Sequence, residues 1–307
     1  DNRVVTELRK PYALRIPLTN LKFVEHKTIV MKKALMFSLF AALCCSSGCL
    51  SAQTMTTRQT RFEGQNITGV SAGSTFQVEV YQSDKTSATV ELPAKWADKL
   101  EFTIDNDGVV NIKLEGFKLN LNKEDEFKAT VYLKDPYSLK ASSSATITAK
   151  TPIKTATLNI DVSSSGEVII PDLTATNRVV INGSSSGEIE AKITAPLLRC
   201  DVNSSASADL EHIGTEAVLN AASSADIDIK GSTNKVTATT NSAGKIDGEE
   251  YTAKEASCRA NSAGKITLHI TGSLSAKAST GGSVIYSGDP NVQSLDTSTG
   301  GRVRKAE

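Results

Sequence analysis

The chain has 307 residues, with 34 basic and 34 acidic side chains. That balance argues against a nucleic-acid binder, since phosphate binding leaves a basic excess. Aromatic residues make up 5% and Trp96 is the single tryptophan; the length allows one large or two modest domains.

Residues 1–30 contain no methionine. Met31-Lys32-Lys33 then precedes the apolar run Ala34 to Cys45. A positive segment followed by an apolar stretch too short to span a bilayer has the form of a signal peptide. We read Met31 as the start, residues 1–30 as upstream translation outside the fold, and 31–52 as the leader. The alternative is a genuine extension before an internal apolar helix. Two processing sites compete. Ser46-Ser47-Gly48-Cys49 resembles a bacterial lipobox, with Ser46 in place of the usual leucine, and would put a lipid on Cys49. Ala52 before Gln53 has the form of an ordinary signal-peptidase site. Either exports the protein, to the outer membrane and periplasm, the cell surface or the medium, with membrane contact only through that lipid. Cys44, Cys45 and Cys49 belong to the leader region, so Cys200 and Cys258 are the cysteines of the body.

Residues 53–307 read as one elongated domain, since no linker composition interrupts them. Its first part, 59–135, reads as irregular coils of the same kind as those that follow. Phe76 to Tyr81, Ala88 to Leu92, Leu100 to Ile104, Val109 to Leu114 and Phe127 to Leu133 alternate apolar and polar, as strands do. Asp105-Asn106-Asp107-Gly108 is a turn between two of them, and Pro93 to Leu100 one short helical turn.

From 136 to 305 the chain repeats. Nine blocks align without gaps: LKASSSATI (139–147), IDVSSSGEV (160–168), INGSSSGEI (181–189), VNSSASADL (202–210), LNAASSADI (219–227), ATTNSAGKI (238–246), CRANSAGKI (258–266), AKASTGGSV (276–284) and LDTSTGGRV (295–303). Two residues before the closing apolar position stand Ala145, Gly166, Gly187, Ala208, Ala225, Gly244, Gly264, Gly282 and Gly301, each Gly or Ala. Alternate positions share one character, which is strand periodicity. A repeat of about 20 residues cannot bury its own core but can when stacked on its neighbours. At ~3.3 Å per residue it makes one coil of a parallel β-helix, with coils ~4.8 Å apart. The Gly/Ala column predicts a crowded place, against the opposite wall or a tight bend.

Gly69-Val70-Ser71-Ala72-Gly73-Ser74, then Asp105 to Leu114, then the repeated coils resemble the "head GIN" adhesin family of Bacteroidota over roughly residues 59–305. The resemblance implies an exported, all-β, right-handed, single-stranded parallel β-helix. It carries no catalytic residue and implies an adhesion or binding role without a ligand.

Several residues are candidates for chemistry. Gly183-Ser184-Ser185-Ser186-Gly187 fits the G-x-S-x-G pattern of a hydrolase nucleophile. Alternation continues through Glu188-Ile189-Glu190-Ala191 instead of a helix, and sister blocks keep the serines without Gly183, so we read it as a structural turn. Cys200, aligned with Leu158, and Cys258, aligned with Ile160, are expected to be buried, unpaired and three coils apart. His212 and His269 are expected at the surface or in turns. The outward row before the closing position reads Thr146, Glu167, Glu188, Asp209, Asp226, Lys245, Lys265, Ser283, Arg302. It is either a solvated face or a two-signed patch for a partner. Its acidic half, Glu167, Glu188, Asp209 and Asp226, is the one candidate row for Ca²⁺; no other cofactor is expected. The Ser/Thr/Asn rows either serve the turns or form a surface for glycans. Two functions follow: a non-catalytic envelope or secreted binding module, for a glycan or an envelope or host protein, and a carbohydrate-active enzyme on a β-helix. The first is favoured, because short uniform turns and in-row carboxylates do not converge on a substrate. Exposed strand edges at the ends call for a cap or an oligomer.

Overall fold

The computed structural model describes residues 55–116 and 125–306. The proposed leader, Cys49, both processing sites and residues 1–30 lie outside the described residues. From Thr56 onward the described chain is β-strand and turn, except for one 3₁₀ turn at Ala94–Lys99 where a short helical turn is expected.

The strands stack into a parallel solenoid, and each coil is built the same way. A leading strand enters, a four-residue turn changes its direction, and a trailing strand leaves. The chain then continues onto a third, shorter face, in some coils past a β-bulge, as between Ile170 and Leu173 and between Asp228 and Gly231. On the leading strands Leu139, Ile160, Ile181, Cys200, Leu219, Ala238, Cys258, Ala276 and Leu295 lie one above another. On the trailing strands the column is Ile147, Val168, Ile189, Ala208, Ile227, Ile246, Ile266, Val284 and Val303. Both columns are buried except at Leu295 and Val303 in the final coil. Burying a repeated apolar face on the next coil is the main stabilising term of such an array.

The turns explain the small residues. In every block the two residues at the corner have positive φ, as Ser164 at 51° and Ser165 at 58°, with Gly166 N–H donating to Ser163 O at 2.9 Å. Two consecutive left-handed residues are the signature of a type I′ turn. Serine is an uncommon occupant of that region and is strained there. The stack offsets the strain with a hydrogen-bond ladder of its own. Ser144 N–H donates to Ser164 O, Ser165 to Ser185, Ser186 to Ser204, Ser205 to Ser223 and Ser224 to Ser242, at 3.0–3.1 Å. Each turn thereby satisfies backbone groups of its neighbours.

The Gly/Ala column lies at the fourth turn position, and its crowding comes from the adjacent coil. A Cβ on Gly166 would lie 2.6 Å from the backbone carbonyl of Ala141, and one on Gly244 2.2 Å from Ala221 O. The obstacle is the neighbouring backbone, in place of an opposite wall.

The register differs from expectation in one block. Ile181 pairs with Cys200, and Glu188 and Ile189 with Ser207 and Ala208. The fourth turn is therefore Asn203-Ser204-Ser205-Ala206, and the block is 200–208 instead of 202–210. A two-residue slip keeps every side chain on its face, so alternation cannot detect it. Leu210 outcompetes Ala208 as the apparent closing residue only because it is larger. Ala206, not Ala208, belongs to the Gly/Ala column. Cys200 aligns with Ile160, not with Leu158.

The first part also departs from a plain series of coils. Strand Gly69–Ala72 and strand Gln77–Gln82 form a coil that inserts between strands Val109–Leu114 and Lys128–Leu133 on one side and the next coil, 138–149, on the other. Beyond it, Leu100–Ile104 pairs antiparallel with Val109–Leu114, and Ser87–Pro93 runs antiparallel to both Thr56–Arg61 and Lys128–Leu133. These hairpins end the parallel stack on that side. Trp96, partly buried, donates its indole N–H to Asp125 and packs near Phe127.

Candidate functional site

The outward face of the trailing strands carries the charges. In the observed register its first row reads Thr146, Glu167, Glu188, Ser207, Asp226, Lys245, Lys265, Ser283 and Arg302. Asp209 leaves this row and joins the next, where Glu190, Asp209, Asp228 and Asp247 occupy four successive coils. The acidic zone is thus two rows wide, and Lys265, Arg302 and Arg304 make the same rows basic toward the C-terminal end. Lys245 stands where they meet, with Nζ 3.3 Å from Asp228 and 3.2 Å from Asp247. Burial opposes its charge, but the hydrogen bonds to Asp247 and Asp228 outweigh that and hold its ammonium above its ordinary range. Thr146 Oγ1 donates to Glu167 Oε2 at 3.0 Å. One oxygen of Asp226 is shielded from solvent and accepts no hydrogen bond. Carboxylates one coil apart form a line, and among the described residues no three His, Cys, Asp or Glu side chains converge to hold a metal ion.

The other candidates are structural. Ser185 stands at a turn corner with φ 51°. The histidine nearest in sequence after it is occupied: His212 Nε2 lies 3.1 Å from Ala195 O, and Nδ1 lies 2.6 Å from the Tyr251 hydroxyl. His212 is fully buried, which overturns its expected surface position. It points inward on the third face, in the column of Ile193 and Gly231. Ala195 O can only accept, so Nε2 carries the proton and Nδ1 accepts from Tyr251. His269, partly buried, lies 2.8 Å from the Ser287 hydroxyl. Cys200 and Cys258 are buried free thiols in one leading column, separated by Leu219 and Ala238. Three coil spacings place them roughly 14 Å apart, beyond disulfide reach. Burial raises both thiols, Cys258 to about 12.

The outward face of the leading strands carries a second polar ladder, in which amides alternate with charged side chains. Asn182 Nδ2 donates to Asp161 Oδ1 at 2.8 Å, and Asn220 Nδ2 to Asp201 Oδ1 at 2.5 Å. This row runs back through Lys140 and Ser71 to Asn111. The sequence alignment, anchored on the turns, does not single it out, because Asn and Asp are ordinary turn residues.

Fold and faces together define a parallel β-solenoid whose stacked strands present polar outward faces. The family model described as "Putative auto-transporter adhesin, head GIN domain" matches residues 66–218 and 172–290, and the chain belongs to that family. No curated protein matches the chain. A solved structure from Parabacteroides merdae described as a "putative adhesin" shares 17% identity over 82% of this chain and 96% of its own, with TM-score 0.63. One from Parabacteroides distasonis described as a "Putative lipid binding protein" shares 18% over 82% and 97%, with TM-score 0.61. At these identities the likeness concerns the fold. Family membership supports an adhesion or binding role and a surface-associated or extracellular setting. Among the described residues no helix is long and apolar enough to cross a membrane.

Proposed function

We propose that the protein is a non-catalytic binding module of the bacterial envelope or its exterior, which engages a partner through the outward faces of its stacked strands. The observation that carries this reading is the placement of charge. Along two adjacent rows the acidic side chains Glu167, Glu188 and Asp226, and Glu190, Asp209, Asp228 and Asp247, give way to Lys245, Lys265, Arg302 and Arg304 toward one end, beside a third row of mixed sign at Lys192, Glu211 and Lys230. A solvated face needs charge but not segregation by sign, whereas segregation orients a partner of complementary pattern. Among the described residues Ser185 has no free histidine beside it, and the carboxylates stand in lines. Binding to an array of glycans and matrix proteins tests the proposal, with wild type compared to Asp209→Lys/Asp228→Lys. Retention that the charge reversal changes supports the trailing face. Release of new reducing ends from a polysaccharide would replace the module by the enzyme reading.

A further inference from the structure

Where the solenoid meets its antiparallel end, the polar ladder of the leading strands opens into a cleft of about 460 Å³. Its lining includes Tyr137, Asp105, Asp107, Asn111, Ser71 and Lys140. The volume lies within the range of small-molecule sites. Tyr137 is 53% exposed, the most exposed tyrosine of the described chain. Its backbone is nevertheless fixed: its N–H donates to Thr68 O at 2.7 Å, and its C=O accepts from the Asn159 backbone and side chain at 2.9 and 3.2 Å. The facing turn is equally fixed. Asp105 Oδ1 accepts from Asp107 N and Val109 N, and Thr68 Oγ1 donates to Asp107 O at 2.6 Å. A Cβ at Gly108, where φ is 81°, would strike Asn66 O at 2.5 Å, so the turn lies tight against its neighbour. Held by this frame, the Asp107 carboxylate and the Ser71 hydroxyl make no hydrogen bond within the described chain.

We infer that this cleft holds a neutral, hydroxyl-rich sugar ring of a glycan, with Tyr137 as its aromatic contact. This rests on the binding-module reading above and names its ligand class. The lining decides the class. An aromatic ring attracts the weakly positive C–H face of a pyranose through its quadrupole. Carboxylate, amide and hydroxyl acceptors suit a ligand rich in O–H donors. Val109 and Tyr137 are the apolar residues of the lining and form no run that would hold a lipid chain, and Asp105 and Asp107, set against the single ammonium of Lys140, leave the lining net acidic and unfavourable to a uronate or phosphate. A frame set before binding reduces the ordering cost. The aromatic contact stands at the entry to the first regular coil, two residues before the block 139–147.

The test is retention of the full chain on immobilised neutral oligosaccharides ending in glucose, galactose, mannose or N-acetylhexosamine, beside polygalacturonate. The expected result is retention on at least one neutral glycan. Tyr137→Ala should weaken it roughly tenfold, the scale of one lost aromatic contact. Asp107→Asn should weaken it several-fold, at unchanged melting temperature, while Asp172→Asn, at an exposed bulge position away from the cleft, leaves it intact. Neutral-glycan retention that survives both cleft variants overturns the cleft and leaves the module standing. Retention on polygalacturonate alone, or on no glycan, overturns the ligand class. Release of reducing ends overturns both proposals.

Discussion

Nδ1 of His212 and the hydroxyl of Tyr251 lie 2.6 Å apart, although a whole coil separates them. The residue between them in the column is Gly231, and a Cβ there would lie 2.1 Å from His212 O. The absent side chain lets two polar residues meet inside an otherwise apolar wall, and each satisfies the other. Burial holds His212 below its ordinary value, with the backbone bond to Ala195 working the other way.

That pair predicts an acid sensitivity. The unfolded chain takes up a proton on His212 at about pH 6.5, and the folded chain resists it until lower pH. The stability that depends on neutral His212 is complete above that value and falls as pH drops through it toward the folded pKa. The slope is at most about 1.4 kcal/mol per pH unit. Melting curves between pH 7.5 and 5 should show the loss. The paired variant His212→Leu/Tyr251→Phe should lose this component of the acid response, and an unchanged profile would reject the assignment.

Gly166→Val should destabilise by roughly 1–3 kcal/mol, because the new side chain overlaps the neighbouring backbone at Ala141. Ser164→Ala should cost a few tenths of a kcal/mol, since the hydroxyl at that corner is exposed and the ladder there uses backbone groups. Chemical denaturation of both variants checks the contrast. A larger loss for Ser164→Ala would place the strain in the wrong residue.

Thr240 is buried on the inward face of a leading strand, and its hydroxyl has no hydrogen-bond partner. Thr240→Val keeps the shape and removes the unsatisfied group. It should therefore stabilise the protein by about 1 kcal/mol, read as a shift in denaturation midpoint at constant slope.

Cys200 and Cys258 should resist alkylation at pH 8 in the native protein and react only on unfolding. Desolvation raises both thiols, and only the thiolate is nucleophilic. Mass spectrometry of iodoacetamide-treated protein before and after denaturation is the check. A native Cys200–Cys258 disulfide would contradict their separation in the column.

The coil and its corner are legible in the sequence because stacking repeats the same constraint. Ser-Ser-Gly at one corner is a guess, and the Gly/Ala column across nine blocks is a rule. The register of the fourth block is not legible from alternation, since Ala208 and Leu210 both face inward. Only the left-handed pair Ser204-Ser205 fixes it. His212 is misread because a histidine among strands resembles a surface residue until Gly231 and Tyr251 are aligned with it. Gly231 is in unbroken register with His212, but Tyr251 lies beyond a bulge, where the spacing changes. The antiparallel end is hidden for another reason: strand alternation is the same whichever way the partner runs. The acidic zone is half legible, since Glu167, Glu188 and Asp226 share a row while Asp209 widens the zone from the next one.

The turn ladder also sets the unit by which this protein can change length. Each corner offers the next the same amide and the same carbonyl, so any coil finds on either side the surface its neighbour found. A duplicated or deleted coil keeps the backbone ladder of both flanking seams, except where side chains bond across two coils, as His212 and Tyr251 do. An insertion of a few residues within a corner breaks two seams together. Variation in reach therefore comes in whole coils, and the distance from one end of the polar faces to the other lengthens or shortens in steps of one strand spacing.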